Sequence, residues 1–336
     1  MKRKIGYIGF FILLTAALTL LLVGCGRDRE PSRQTEIAMT THVTDMIKRV
    51  HSIHNNTELQ REDIRIDAYY HDTDSKYLDG VKLHYNTDAW VFWDGTKQVH
   101  YYWPIEGSVY DPTDANITVS SLDFVGFCPF EAPAYITSTS YAHASGASFV
   151  AALPTTTVDE VVYMPPASQA SLQEYLIAVL NNQTYTTQTD AGGALPLQFK
   201  HPFALIKFTI AAASGTHVQV DSIGIAELYT GGTCSYDGTT MSWAGTGSGT
   251  MMIQPAHPLK VGTEYLATDS VMVIPGSYVA PKTLTVWGTW DDWSNVSKDV
   301  SAEVAFNWQP GYIYTYNLTV TPTALKVDVE QFTEQW

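Results

Sequence analysis

Apolar side chains recur at every second residue through most of this chain, and that period limits what it can fold into. Ile37, Met39, Thr41 and Val43 stand at alternate positions, as do Ile64, Ile66, Ala68 and Tyr70. Val81, Leu83 and Tyr85 continue the pattern, then Val218 and Val220, and later Leu284 and Val286. Successive side chains of an extended strand point to opposite faces, so each such segment has one face to bury. Gly, Ser, Thr, Asn and Asp fill the intervals, where turns need them. Many short strands at close spacing predict an all-β fold of packed sandwiches, not an alternating α/β sheet.

One stretch departs from the two-residue period. Ser171 and Glu174 have capping-box spacing, and Leu172, Tyr175, Leu176, Val179 and Leu180 would share one helical face. A helix is therefore predicted there. The polar loop from Asn181 to Gly193 follows it and is the candidate boundary between two domains, 36–192 and 193–336.

The chain opens differently. Lys2, Arg3 and Lys4 precede an apolar run from Ile5 to Val23, the layout of a secretory signal. The run ends in Leu22, Val23, Gly24 and Cys25, which resembles a bacterial lipobox. On that reading residues 1–24 are a leader, Cys25 is acylated, and residues 25–35 are a polar tether to a membrane surface. The competing reading is a single membrane-spanning helix, since about 19 apolar residues nearly cross a bilayer.

Composition narrows the function. A hydrophobic fraction of 45% argues against disorder, and a formal charge of −15 repels phosphate backbones. No run of lysine or arginine interleaves with aromatics, so nucleic acid is excluded as a partner. Cys128 and Cys234 read as two buried thiols, with a disulfide as the alternative.

Catalytic constellations do not emerge. The ten histidines are scattered singly, without paired metal-ligand spacing, so no metal or cofactor is expected. Asp72, Asp74 and Asp79 before Gly80 hint at a calcium loop, but Lys76 and Tyr77 stand where an oxygen ligand and a turn glycine belong. A polar turn is the better reading. Asp291 and Asp292, between Trp290 and Trp293, read as an edge turn, with a carboxylate pair or a sugar-stacking patch as alternatives.

Four segments together resemble the fimbrillin-like lipoproteins of Gram-negative anaerobes, subunits of surface fimbriae. They are Tyr101 to Pro104 with Leu122 to Pro129, then Leu195 to Ala204, Val271 to Pro275, and Trp308 to Tyr316. Gly126 stands where that family favours alanine, and Pro202 and Phe203 depart from its Phe-Lys-His-Ala pattern. The resemblance implies two transthyretin-like, Greek-key β-sandwich domains and no enzymatic activity. It implies a lipoprotein of the outer membrane and cell surface whose partners are other fimbrial subunits and a host or bacterial surface glycan or protein.

The resemblance also implies assembly by strand exchange. A protease removes the first strand of a subunit, and a strand from the next subunit fills the groove. Glu36 to Thr44 is the candidate removable strand, with cleavage after Arg49, or after Arg61 as second choice. Leu325, Val327 and Val329 alternate with Lys326, Asp328 and Glu330, as a donor strand needs. They fit the ordinary last strand of the second sandwich equally well. The alternative function is a surface glycan-binding lipoprotein of a nutrient-uptake system, with Trp287, Trp290 and Trp293 stacking on sugar rings.

Overall fold

The computed structural model describes residues 35–43, 53, 55–104, 121–165, 172–254, 259–290 and 296–335. The expected all-β fold is found, as five sheets among the described residues. In the first, β1 (Met39–Val43) runs parallel to β11 (Leu195–Phe199). The second has the order β10 (Leu176–Gln183), β5 (Leu122–Cys128), β2 (Ile64–Tyr70), β3 (Lys76–Asn86), β4 (Ala89–Trp93), with every neighbour antiparallel. The third runs β15 (Met241–Thr246), β14 (Gly231–Tyr236), β7 (Gly146–Ala152), β6 (Ile136–Ala142).

The last two sheets come mainly from the C-terminal half, with two short strands before residue 165 joining one of them. One runs β21 (Val296–Trp308), β20 (Gly276–Trp290), β13 (Val218–Leu228), β16 (Gly249–Ile253), β9 (Val161–Met164), β8 (Thr156–Val158), with β17 (Leu259–Val261) also on β13. The other runs β18 (Leu266–Ala267), β12 (Ala204–Ala212), β22 (Tyr312–Thr321), β23 (Ala324–Gln335), with β19 (Val271–Val273) on β12. Two short helices, α1 (Asn56–Leu59) and α2 (Tyr185–Asp190), join strands.

Alternation assigns the faces of the second sheet. Ile64, Ile66, Ala68, Leu122, Phe124, Leu176 and Ala178 turn toward β1 and β11 and form the first core with Ile37, Met39, Leu195 and Phe199. Val125, Phe127, Ile177 and Val179 turn the other way, into a larger core shared with the third, fourth and fifth sheets. All seven residues of β5 are buried for that reason, because layers cover both of its faces. Phe203 sits where the halves meet, ringed by Tyr135, Phe149 and Trp243.

One sequence expectation is altered here. The predicted helix after Ser171 is not a helix: Ser171 lies outside the described residues, 172–175 belong to no regular element, and β10 follows. Glu174 meets the buried His201 (Nδ1 to Oε1, 2.5 Å) instead of capping. Leu176, Ile177, Ala178 and Val179 are consecutive and all buried, since β10 has a core on each side. Such a run satisfies a helical count as easily as a strand between layers. Among the described residues the helix nearest there is α2, whose capping box uses Thr184 and Thr187. The loop proposed as a domain boundary precedes β11, which packs in the first core, and β6 and β7 share a sheet with β14 and β15.

Candidate functional site

The segment 35–43 is held from three sides. β11 pairs with it in parallel, from Met39 opposite Leu195 to Val43 opposite Phe199. On its other side the Ile37 amide donates to the Tyr101 carbonyl (2.8 Å), and the Trp103 amide donates to the Thr35 carbonyl (3.0 Å). Trp103 precedes Pro104, which biases it toward extended backbone. At the far end the Val43 amide donates to the Asn56 side chain (2.8 Å).

Gln188 completes the cradle, and nothing in the sequence marked it. From α2 its amide Nε2 donates to the Glu36 carbonyl (2.9 Å). Its Oε1 accepts from the Ala38 amide and from the Trp103 indole, each at 3.1 Å. One buried side chain thus replaces ladder partners just where β11 has not yet begun.

Burial of Ile37, Met39 and Val43 in the first core stabilises the strand by roughly 1.5–3 kcal/mol per side chain. Without β1 the groove would expose those pockets and the unpaired edge of β11. The fit is imperfect at one point: the Thr41 hydroxyl is buried with no hydrogen-bond partner.

A second cluster gathers residues that the sequence left isolated. His71 follows β2, Asp123 is on β5, and His143 lies in the turn between β6 and β7. The imidazoles approach the buried Asp123 carboxylate, His71 Nδ1 at 2.7 Å and His143 Nδ1 at 3.2 Å. Tyr141 donates its hydroxyl to Oδ2, and the Asn182 amide donates to Oδ1 (2.6 Å). Burial by itself would push the Asp123 carboxyl up, but these hydrogen bonds outweigh it and hold the group below the usual carboxylate range. No spacing rule finds such a set, because its members come from three separate segments.

A family model described as fimbrillin-like matches residues 49–336. The chain belongs to the fimbrillin-like family. None of the curated proteins matches it. Solved structures similar to it include a candidate cell adhesion protein from Bacteroides uniformis, at 16% identity over 90% of this chain and 98% of that one, TM-score 0.49. A candidate adhesin from Bacteroides thetaiotaomicron shares 10% identity over 90% and 99% of the two chains, TM-score 0.49. The tip fimbrial protein Mfa3 from Porphyromonas gingivalis shares 9% over 90% and 100%, TM-score 0.43.

In this fimbrillin-like chain the four motifs are structural. Trp103 stacks edge-on against Phe124 (5.9 Å), and Val271–Val273 is a buried strand on β12. Trp308 donates its indole N–H to the Tyr316 hydroxyl (2.8 Å), while the Gln309 amide donates to the Tyr314 hydroxyl (2.9 Å). These tyrosines close the turn at Pro310 and Gly311 that feeds β22.

Several predicted site residues are now placed. Leu325 and Val327 pair with β22, opposite Val320 and Leu318, with Leu325 in the core. The side chain of Val329 lies outside the described residues, as do Arg49 and the lipobox residues Leu22, Val23, Gly24 and Cys25. Arg61 is exposed just beyond α1. Cys128 and Cys234 are free and buried in different cores, and burial pushes both thiols up. Of the tryptophans named for the alternative sugar-binding reading, Trp290 is buried, whereas Trp287 packs over Gly224 and is only half-buried. Trp293, Asp291 and Asp292 lie outside the described residues. Asp79 lies within β3 and pairs with Lys76, whereas Asp74, in the turn before β3, accepts from the His143 amide.

Proposed function

We propose that this chain is a lipid-anchored subunit of a surface fimbria, assembled by exchange of β1 for a strand of a neighbouring subunit. Its family is one of fimbrial and adhesive surface proteins. The observation that carries the mechanism is the seating of β1. It closes a hydrophobic core, yet among the described residues its only paired strand neighbour is β11, and it is followed by the candidate cleavage site Arg49. Cleavage there would release the strand together with the acylated Cys25 and leave a groove of apolar pockets and unpaired amides. A donor strand satisfies both, which is β-augmentation. Because head-to-tail addition does not close on itself, the product is a filament.

β23 is the donor this reading nominates. It is the edge strand of its sheet, so it has one strand neighbour to leave. Its alternate positions Leu325, Val327 and Val329 are all apolar, whereas the resident strand carries the half-buried Thr41, whose buried hydroxyl has no partner among the described residues. An apolar side chain in that pocket avoids the penalty of about 1–3 kcal/mol for an unsatisfied buried hydroxyl.

The test is limited cleavage of the purified chain by an arginine-specific protease. Mass spectrometry should show loss of the segment ending at Arg49, and unboiled gels should then show ladders that survive mild denaturant. A variant with Arg49→Ala and Arg61→Ala should keep β1 through the same treatment and stay monomeric. Cleavage after Arg49 with no ladder, at high protein concentration, would remove the strand-exchange reading for this subunit.

A further inference from the structure

The cluster at His71, Asp123 and His143 is built on a different part of the fold from the β1 groove. Along β5, the even-numbered positions face β1 and β11, and the odd-numbered Asp123 faces the third sheet, with Val125 and Phe127. Tyr69, directly opposite Asp123 in the ladder, stacks on Tyr141 at 4.4 Å and so brings the β6–β7 turn down over β2. Asn182 lies in an irregularity of β10 with φ at 54°, and that bend aims its amide at the carboxylate.

Asp123 is fully buried, and among the described residues its ion-pair partners are two imidazoles, with no lysine or arginine. Its sheet neighbour Asp67, nearly as buried, has Arg65 at 2.9 Å and Lys76 at 3.3 Å. A buried carboxylate without a fixed cation is costly unless another positive group reaches it.

We propose that His71, Asp123 and His143 form a binding site for a zinc-like divalent cation that fastens the second sheet to the third. Ligand atoms of the three residues lie within 4.8 Å of one another. A tetrahedral ion with bonds of about 2.0–2.1 Å needs its ligand atoms about 3.3 Å apart. His71 Nδ1 stands 2.7 Å from one carboxylate oxygen, Oδ1, and His143 Nδ1 3.2 Å from the other, Oδ2, so both rings already face the same carboxylate and side-chain rotation is what brings one oxygen and both nitrogens onto one ion. The two ring planes stand at 88° with centroids 4.4 Å apart, so the imidazoles lie side by side at the carboxylate without stacking face to face. Two neutral imidazoles with one carboxylate suit zinc and its neighbours; calcium and magnesium prefer oxygen alone. Tyr141 and the Asn182 amide already hold the carboxylate in the supporting role that outer partners play around metal ligands. The fourth position faces the solvent side, where the His143 side chain is 46% exposed.

The experiment is calorimetric titration of the purified, chelator-stripped full chain with zinc chloride, repeated with calcium and magnesium. One zinc per chain should bind, and a saturating excess should raise Tm by several degrees, since a ligand that binds only the folded state stabilises it. The calcium and magnesium titrations should show no heat. His143→Gln, in an exposed turn, should weaken zinc at least tenfold, and His71→Gln with His143→Gln should abolish both the heat and the Tm shift. Cobalt loading gives an independent readout: visible ligand-field bands should appear with the native chain and be absent from the double variant, whose folding is checked by circular dichroism. Absence of zinc binding, or binding and bands that persist in the folded double variant, would overturn the assignment.

Discussion

Gly126 lies beneath the ring of Phe199, and an added Cβ would come within 2.9 Å of its Cζ. Phe199 is the last residue of β11, so the small side chain on β5 sets how closely the first sheet approaches the second. Gly126→Ala should therefore lift β11 and destabilise the chain by about 1–3 kcal/mol, as overpacking does. A urea titration checks it, and Phe199→Leu in the same background should recover part of the loss. Asp63 illustrates charge at the same scale. Its partial burial pushes the carboxyl up, but hydrogen bonds from Lys82 and His84 and their charges outweigh that, so the folded pKa lies below the ordinary value. A folded pKa lower than the unfolded one stabilises fully above about pH 4 and ceases to do so as pH falls through the folded value. Asp63→Asn should accordingly flatten the acid side of the stability profile, as read from urea midpoints across pH.

Among elements, β1 is the one whose retention decides function on the proposed reading. Two substitutions should move it in opposite directions. Thr41→Val removes the orphaned hydroxyl and should raise stability by about 1 kcal/mol and slow strand release after cleavage. Gln188→Ala strips partners from the Glu36 carbonyl, the Ala38 amide and the Trp103 indole, and should cost about 2–3 kcal/mol. Hydrogen exchange at residues 36–43 measures both, with protection rising in the first variant and collapsing in the second. β10 shows why element type was harder to read than element count. Its apolar run has no polar face because both faces are buried, and without a polar face the two-residue period disappears. β1, buried on alternate residues, kept its period and was legible from Ile37, Met39 and Val43.

At the scale of the molecule, the third sheet ties the halves together. It pairs β7 from the first half with β14 from the second, in register from Ala147 opposite Tyr236 to Ala152 opposite Gly231. Gly146, at φ 76°, begins β7 against the backbone of Tyr236 and Asp237, a place with no room for a side chain. A fragment starting at residue 193 would lose β6 and β7 and expose Cys234 and Phe203. It should fail to give dispersed NMR spectra, whereas the chain from 35 onward should unfold in one transition. Phe203→Ala, emptying the junction between Tyr135, Phe149 and Trp243, should cost about 3–5 kcal/mol and lower that single transition without splitting it.

Local pattern alone determined that the chain is β and which face is apolar in several of its strands, β1 and β2 among them. Those properties reside in neighbours a few residues apart, and backbone geometry enforces them wherever the chain goes. Tertiary structure alone decided that Gln188 reaches β1 from about 150 positions away, that Trp287 and Trp290 part company in burial, and that two solitary histidines converge on Asp123. Contacts of that kind depend on which sheets stack and in what register, and a one-dimensional period carries no record of either.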